Sequence, residues 1–426
     1  MSDTDFSVHL KDLAIPPEFN RYNNITDQET ISQLVSWKQN ASAVLRQLLQ
    51  TIQSEDCNLS LNDKADVVFV TAPFLPRSLV SIQVTSNSTA EEREPWDLIA
   101  LVLTRNLKPI FSSSPHPLVH LGTGRRLLKP AGGPMAMQDY YEGQVWKQYP
   151  GIDKVVLWCV HNIEKDAYES LWHLLIPPVM TLLDDFEASH KLEGVLVIQE
   201  MLRHVPSDIL RRTGVDALFK QSLRAAMSHL HSPETPMLLK EAIATSISLV
   251  LLTTSAMVGN KPSSSRFDEL ASLLGEGIIS NIWLYAEDRP EVVRATFDAL
   301  PDLLLALSVG SVRFLKALIP QLTHVLIPRP LIDPDRHLQL SAIRALHTLL
   351  EICRPRVEYW KETILDAVGR CWVGLTDSDR TTTESLQVRE DVKQQLRCLC
   401  SVLAEVCPSV LEVSARVAGC RLSLNC

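Results

Sequence analysis

Glycine is scarce in this chain, with 15 in 426 residues. That scarcity weighs against nucleotide-binding α/β folds, whose phosphate loops need glycine for close backbone approach. Basic residues are outnumbered, 41 Lys+Arg against 50 Asp+Glu, for a formal net charge of −9. A protein built mainly around a nucleic-acid backbone needs a basic face to displace counterions, so the balance argues against that class. Aromatics make up only 6% of the chain. Paired cysteine spacing is missing too: Cys57, Cys159, Cys353, Cys371, Cys398, Cys400, Cys407, Cys420 and Cys426 fall irregularly. Their odd number predicts reduced, intracellular thiols that serve mostly as small core residues. Met1-Ser2-Asp3-Thr4-Asp5 has no apolar stretch, so no secretory signal is expected, and the expected location is cytoplasmic and nuclear.

Hydrophobic residues, by contrast, reach 46% against 21% charged, and leucine takes about one position in seven. Leucine richness with few aromatics and few glycines predicts helix packed on helix. From residue 139 onward the pattern is quasi-periodic. Apolar helices are predicted to begin near Leu171, Ala217, Leu270, Phe314 and Trp360, an interval at or slightly above the ~40–47-residue HEAT hairpin. One such hairpin cannot bury its apolar face alone, so neighbours must stack. The expected fold is therefore all-α, a HEAT-like α-solenoid of antiparallel helical hairpins. The expected organisation is an N-terminal helical region over 1–111, a linker or extended loop over 112–138, and the repeat domain over 139–426.

Local signals fill in the first third. Thr26 and Glu29 have the spacing of a capping box before Ile31, Leu34, Val35 and Ala41. The run from Asp63 to Gln83 reads equally as a strand or a short buried helix, and Pro73 and Pro76 break any longer element. Pro95-Trp96 is expected to open a further helix. The charge-free stretch Ala242–Val258 is long enough for a membrane span. Its six hydroxyls favour a helix buried between neighbours instead.

Reactive constellations are sought next. His116 and His120 flank a proline in a Ser/Pro-rich loop, and Cys398 and Cys400 stand two apart on a helix, where side chains diverge. Neither forms a converging four-ligand set, so no metal is expected. Gly122-Thr123-Gly124-Arg125-Arg126 lacks the closing Gly-Lys-Ser/Thr of a phosphate loop. No nucleophile elbow, Walker motif or kinase signature is present, so the chain is expected to be no enzyme and to need no cofactor. Asp184-Asp185, at a helix C-terminus, opposes the helix dipole and calls for a local cation such as Lys191 or Arg203. Trp146, Trp158 and Trp172 read as a bulky end to the array, with an aromatic partner anchor as the alternative. Leu403, Val406, Val410, Leu411 and Val413 concentrate apolar side chains near the end of the repeats, where a docking partner would be expected.

Over about residues 139–407 the chain resembles the Tti-two family, the smallest subunit of the TTT (Tel-two, Tti-one, Tti-two) co-chaperone. The resemblance rests on Tyr140-x5-Trp146-Lys147-x2-Pro150-x-Ile152 and Trp158, then Leu175-Ile176-Pro177 with Asp184-Asp185. Lys191-x2-Gly194, Val205-Pro206-x2-Ile209-Leu210, Val312-x2-Leu315-Lys316 and Pro355-Arg356-Val357 follow in order. The resemblance implies a non-enzymatic scaffold that joins the larger helical-repeat subunits Tti-one and Tel-two. It also implies phosphatidylinositol-3-kinase-related kinases as clients, matured together with the Hsp-ninety and R2TP machinery, without nucleic acid or membrane as partners. The competing classes are a HEAT peptide-binding adaptor of the transport-receptor or phosphatase-scaffold type, which calls for more numerous and more regular repeats, and a helical enzyme, which calls for a convergent polar cluster.

Overall fold

The structure is a computed structural model that describes residues 9–19, 25–53, 59–75, 96–133, 135–255, 257–258, 261–262, 264–329, 333–377 and 386–410. These divide into two compact units, Met1–Ser222 and Leu223–Cys426. The described residues of 112–138, read from sequence as a linker or extended loop, belong to the first unit, with His116 and Val119 buried.

In the first unit, Gln28–Gln53 (α1) packs Ala41, Val44 and Leu48 against Leu10 and Leu13. The α1 cap is Asp27, whose Oδ2 accepts the Thr30 N–H at 2.7 Å, so the Thr26/Glu29 box does not form. A carboxylate at that position satisfies an orphan N–H and suits the positive end of the dipole. The described part of the ambiguous run is helix, and its residues 76–83 lie outside the described residues: Leu61–Thr71 (α2) starts at a true capping box between Ser60 and Asp63 and gives way to a 3₁₀ turn at Pro73. Trp96–Leu101 (α3) continues through a π-helical stretch, Val102–Leu107, into Lys108–Phe111 (α4). That widened turn runs up to Pro109, which has no N–H for a regular helical bond.

Ala136–Glu142 (α5), Ile152–Asn162 (α6), Tyr168–Leu183 (α7) and Ala188–Met201 (α8) follow, and α6, α7 and α8 pack mutually. α7 is buried on nearly all sides, Pro177 and Pro178 included. That is what a helix apolar all round requires. Ser207–Thr213 (α9) and Val215–Ala226 (α10) come next, and the division between the units falls within α10.

The second unit repeats one pattern. Thr235–Thr253 (α11) leads through a two-residue antiparallel ladder, Met257–Val258 with Lys261–Pro262, to Ser264–Ser272 (α12), the π-helical Leu273–Ile282 and Trp283–Tyr285 (α13). Pro290–Leu307 (α14), Leu315–His324 (α15), Arg336–Ile352 (α16), Arg354–Val357 (α17), Lys361–Asp377 (α18) and Leu386–Val406 (α19) complete it. α11, α14, α16 and α19 pack each on the next as one layer, while α15 and α18 pack on each other and back each of them on its own hairpin partner. These are stacked helical hairpins, and the described fold is all-α apart from the short ladder. Ser341 Oγ donates to Asp298 Oδ1 at 2.6 Å and stitches α16 to α14.

α11 is long and apolar enough to cross a membrane by length and composition. It packs on α14, and three of its hydroxyls turn back on their own helix: Ser246 Oγ to the Ala242 carbonyl at 2.7 Å, Ser248 Oγ to the Ala244 carbonyl at 3.0 Å and Thr253 Oγ1 to the Leu249 carbonyl at 2.7 Å. A polar group that bonds four residues back can be buried against a neighbouring helix without a further partner.

Candidate functional site

The turn between α7 and α8 gathers the most specific sequence signals. Gly194 of α8 lies against the end of α7, and Lys191 Nζ donates to the Leu183 carbonyl at 2.8 Å. That lysine meets one of the orphan carbonyls at the helix C-terminus. Burial lowers the Lys191 pKa, and the charges of Asp184 and Asp185 oppose the shift.

The two carboxylates have separate partners. Asp184 Oδ2 lies 2.9 Å from Nε2 of the buried His116. Asp185 is itself buried; Lys147 Nζ sits 2.8 Å from its Oδ2, and its Oδ1 accepts the Glu187 N–H at 2.8 Å. Lys147 also reaches Glu187 at 3.0 Å and lies over the Phe186 ring, 4.1 Å from its centroid. The partners of Asp184 and Asp185 are thus the His116 ring and the Lys147 ammonium, with Lys191 on the adjacent carbonyl. Arg203 pairs with Glu200 instead, at 2.7 Å. It is on the turn after α8, at the far end of that helix.

Aromatics close the corner. Trp146 is buried, stacks on Phe111 at 6.2 Å between centroids and meets His190 edge-on at 4.9 Å. Its indole N–H donates to Gln144 Oε1, and the Gln144 amide donates to the Tyr140 carbonyl. Tyr140 packs edge-on to His116 at 5.2 Å, and burial raises the pKa of its phenol. Burial also lowers the His190 imidazole, helped by Lys147 and opposed by Asp185, Glu187 and Asp153. Trp158 and Trp172 are buried as well, so the three tryptophans are core. Pro150 precedes Gly151, the residue at the N-cap of α6, and Pro206 occupies the N-cap position of α9.

Chemically the corner is a clamp. Each carboxylate is committed to the His116 ring, to Lys147 or to a backbone N–H, and no group of three or more potential metal ligands occurs among the described residues. His116 was beyond the reach of spacing arguments because it stands 68 positions from Asp184. Lys147 was visible beside Trp146, but nothing in its spacing pointed to Asp185. Toward the C-terminus, Leu403 and Val410 are buried inside the chain and Val406 is half-buried. Burial removes the first two from any docking surface. Leu411 and Val413 lie outside the described residues.

What the fold and the corner define is a helical-repeat protein whose most specific residues hold its architecture together. Residues 73–334 match the family model described as Tti2 family, and the chain belongs to that family. The match begins within the N-terminal third, takes in the 112–138 segment and stops before Pro355-Arg356-Val357. Among curated proteins the chain is similar to TELO2-interacting protein 2 of Mus musculus, 19% identical over 272 residues, which is 64% of this chain and 51% of that protein. It is similar also to TELO2-interacting protein 2 of Rattus norvegicus, 22% identical over 99 residues, 23% of this chain and 19% of that one. The matched region thus spans about half the length of the mouse relative. Among solved structures, that of Kap121p bound to Pho4p is similar at a TM-score of 0.48 and 12% identity, over 96% of this chain and 37% of that one.

Proposed function

We propose that this chain is a non-enzymatic scaffold subunit of a TTT-type co-chaperone, binding Tel-two and Tti-one through its helical repeats. In that assembly it supports the maturation and stability of phosphatidylinositol-3-kinase-related kinases together with the Hsp-ninety/R2TP machinery. It acts in the cytoplasm and nucleus, where such kinases are made and used. The observation that carries this reading is the family match over residues 73–334, joined to relatives whose name records an interaction with TELO2. The chemistry of the α7–α8 corner supports it: charged groups at the most specific positions are spent on holding helices, as a scaffold requires and a catalyst does not.

Affinity purification of the full chain from cells tests the proposal. The expected result is stoichiometric recovery of Tel-two and Tti-one, and depletion of the protein should lower kinase protein without lowering kinase message. Recovery of many substoichiometric peptides in place of those two subunits would move the chain to the peptide-adaptor class.

A further inference from the structure

The outer side of the α7–α8 corner presents a pair of aromatic rings. Phe186, in the turn between the two helices, is 56% exposed. Its ring is held in place, with the Lys147 ammonium 4.1 Å from its centroid and Tyr141 of α5 edge-on at 6.2 Å. Lys147 is itself fixed by Asp185 and Glu187, at 2.8 and 3.0 Å. Tyr141 is half-buried and packs on the buried Tyr140 at 5.2 Å. Single exposed apolar side chains need no explanation. A ring immobilised before any partner arrives is different, because it loses little side-chain freedom on binding and suits the centre of an interface.

The charge around these rings is negative once each partner is counted. The Leu118 N–H donates to His116 Nδ1 at 3.2 Å. The ring proton therefore sits on Nε2, and a neutral imidazole donates to Asp184, which keeps its full charge. The single ammonium of Lys147 serves both Asp185 and Glu187. Lys191 adds one cation, spent on the Leu183 carbonyl. Burial lowers the His190 pKa, so that ring is neutral at pH 7. Glu142 is exposed beside Tyr141 and accepts from the Gln138 amide at 2.7 Å. Asp184, Asp185, Glu187 and Glu142 thus outnumber Lys147 and Lys191. Nearby, Lys154 is likewise outnumbered by Asp153 and Glu193, at 3.1 and 2.8 Å. Burial, then the charges of Asp184 and Asp185, push up the Tyr141 phenol, which places that ring beside the carboxylates.

We propose that Phe186 and Tyr141 form the anchor of a docking surface for an arginine on a partner protein. Rings and carboxylates together select that group. A guanidinium stacks its flat face on an aromatic ring and bonds a carboxylate in its own plane. The half-buried Asp184 and the exposed Glu142 supply the carboxylates on the Tyr141 side. A lysine ammonium lacks the flat face and is more strongly hydrated, and an acidic or purely apolar segment leaves the excess carboxylates unmatched. The same excess repels nucleic acid and anionic lipid. The partner is a helical-repeat subunit of the assembly proposed above, Tti-one or Tel-two, so this inference rests on that reading.

The test purifies the full chain from cells and compares recovery of Tel-two and Tti-one by the parent, F186A and E142K. Both substituted side chains are exposed, so neither variant should shift the melting temperature by more than about two degrees. Each should lower recovery of the partner subunit about tenfold, and F186Y should retain most of it. A benzophenone photocrosslinker in place of the exposed Val145 should map to a partner segment that contains an arginine. Reversing that arginine to glutamate should restore recovery with E142K. A parent that recovers neither subunit overturns the co-chaperone reading and this inference together. A parent that recovers one or both, with F186A and E142K recovering as much, overturns the docking surface alone. Crosslinks confined to segments without a basic residue, or no rescue by the charge swap, overturn the choice of arginine.

Discussion

A Cβ on Gly194 would stand 2.4 Å from the backbone nitrogen of Leu183 and 2.5 Å from its Cα. Real Cβ atoms do not approach backbone that closely, so α8 crosses the end of α7 at a distance only glycine permits. The obstacle is main chain, which cannot swing aside as a side chain can. Gly194→Ala is therefore expected to lower stability by about 1–3 kcal/mol, and Gly194→Leu by more. Urea unfolding of the purified chain checks this. An unchanged midpoint in both variants would mean that the helices pass further apart.

The Lys147–Asp185 pair should show strong coupling. Lys147→Met keeps the aliphatic stem but leaves the buried Asp185 carboxylate with only the Glu187 N–H, at an expected cost of about 3 kcal/mol. Asp185→Asn added to that background should recover part of the loss. A double-mutant cycle on unfolding free energies measures the coupling, and purely additive losses would show that the pair is not a unit.

His190 gives the corner a pH dependence of known sign. Its folded pKa lies below the ordinary ~6.5, chiefly through burial. The unfolded chain therefore binds more protons just below that value, and stability falls as pH drops from about 7 toward the folded pKa. Below the folded pKa both states are protonated and this contribution stops changing. Stability against pH should have a shallower slope between about pH 7 and 5.5 in His190→Gln than in the parent. Equal slopes would place the proton uptake on other groups.

Ser308 stands at φ 51° and ψ −135° at the end of α14, a conformation that glycine adopts far more readily than serine. Ser308→Gly should raise stability by about 1 kcal/mol as backbone strain is relieved. A thermal melt that falls instead would show that the serine side chain has an offsetting contact.

Leu403 tests the corrected account of the C-terminal repeats. It is 1% exposed, so Leu403→Ala should cost about 2–4 kcal/mol as a cavity mutation. Loss of Tel-two or Tti-one from that variant would then follow from unfolding. A variant that melts like the parent yet releases the partner would return Leu403 to the interface.

Helix content, the hairpin repeat and the buried character of the tryptophans were all legible in the residues, because each depends on local spacing. Leucine at helical intervals must make amphipathic helices, and such helices must stack to hide their stripes. The resemblance carried by Trp146, Pro150, Asp184 and Gly194 was likewise a matter of order along the chain. The α1 cap was not legible: Thr26/Glu29 and Asp27/Thr30 overlap in one window, and only the backbone path chose Asp27.

What tertiary structure alone decided is where distant residues meet. His116 is 68 positions from Asp184, and Lys147 is 38 from Asp185. Gly124 is 48 from the Trp172 indole that holds it. No periodicity links such positions, since their contact depends on how α7, α8 and the 112–133 segment close on one another. The same holds for burial at the C-terminal end, where the apolar run around Leu403 and Val410 looks identical in sequence whether it packs inward or faces a partner. Spacing along a helix determines which side chains share a face. Which neighbour covers that face is a property of the packed chain.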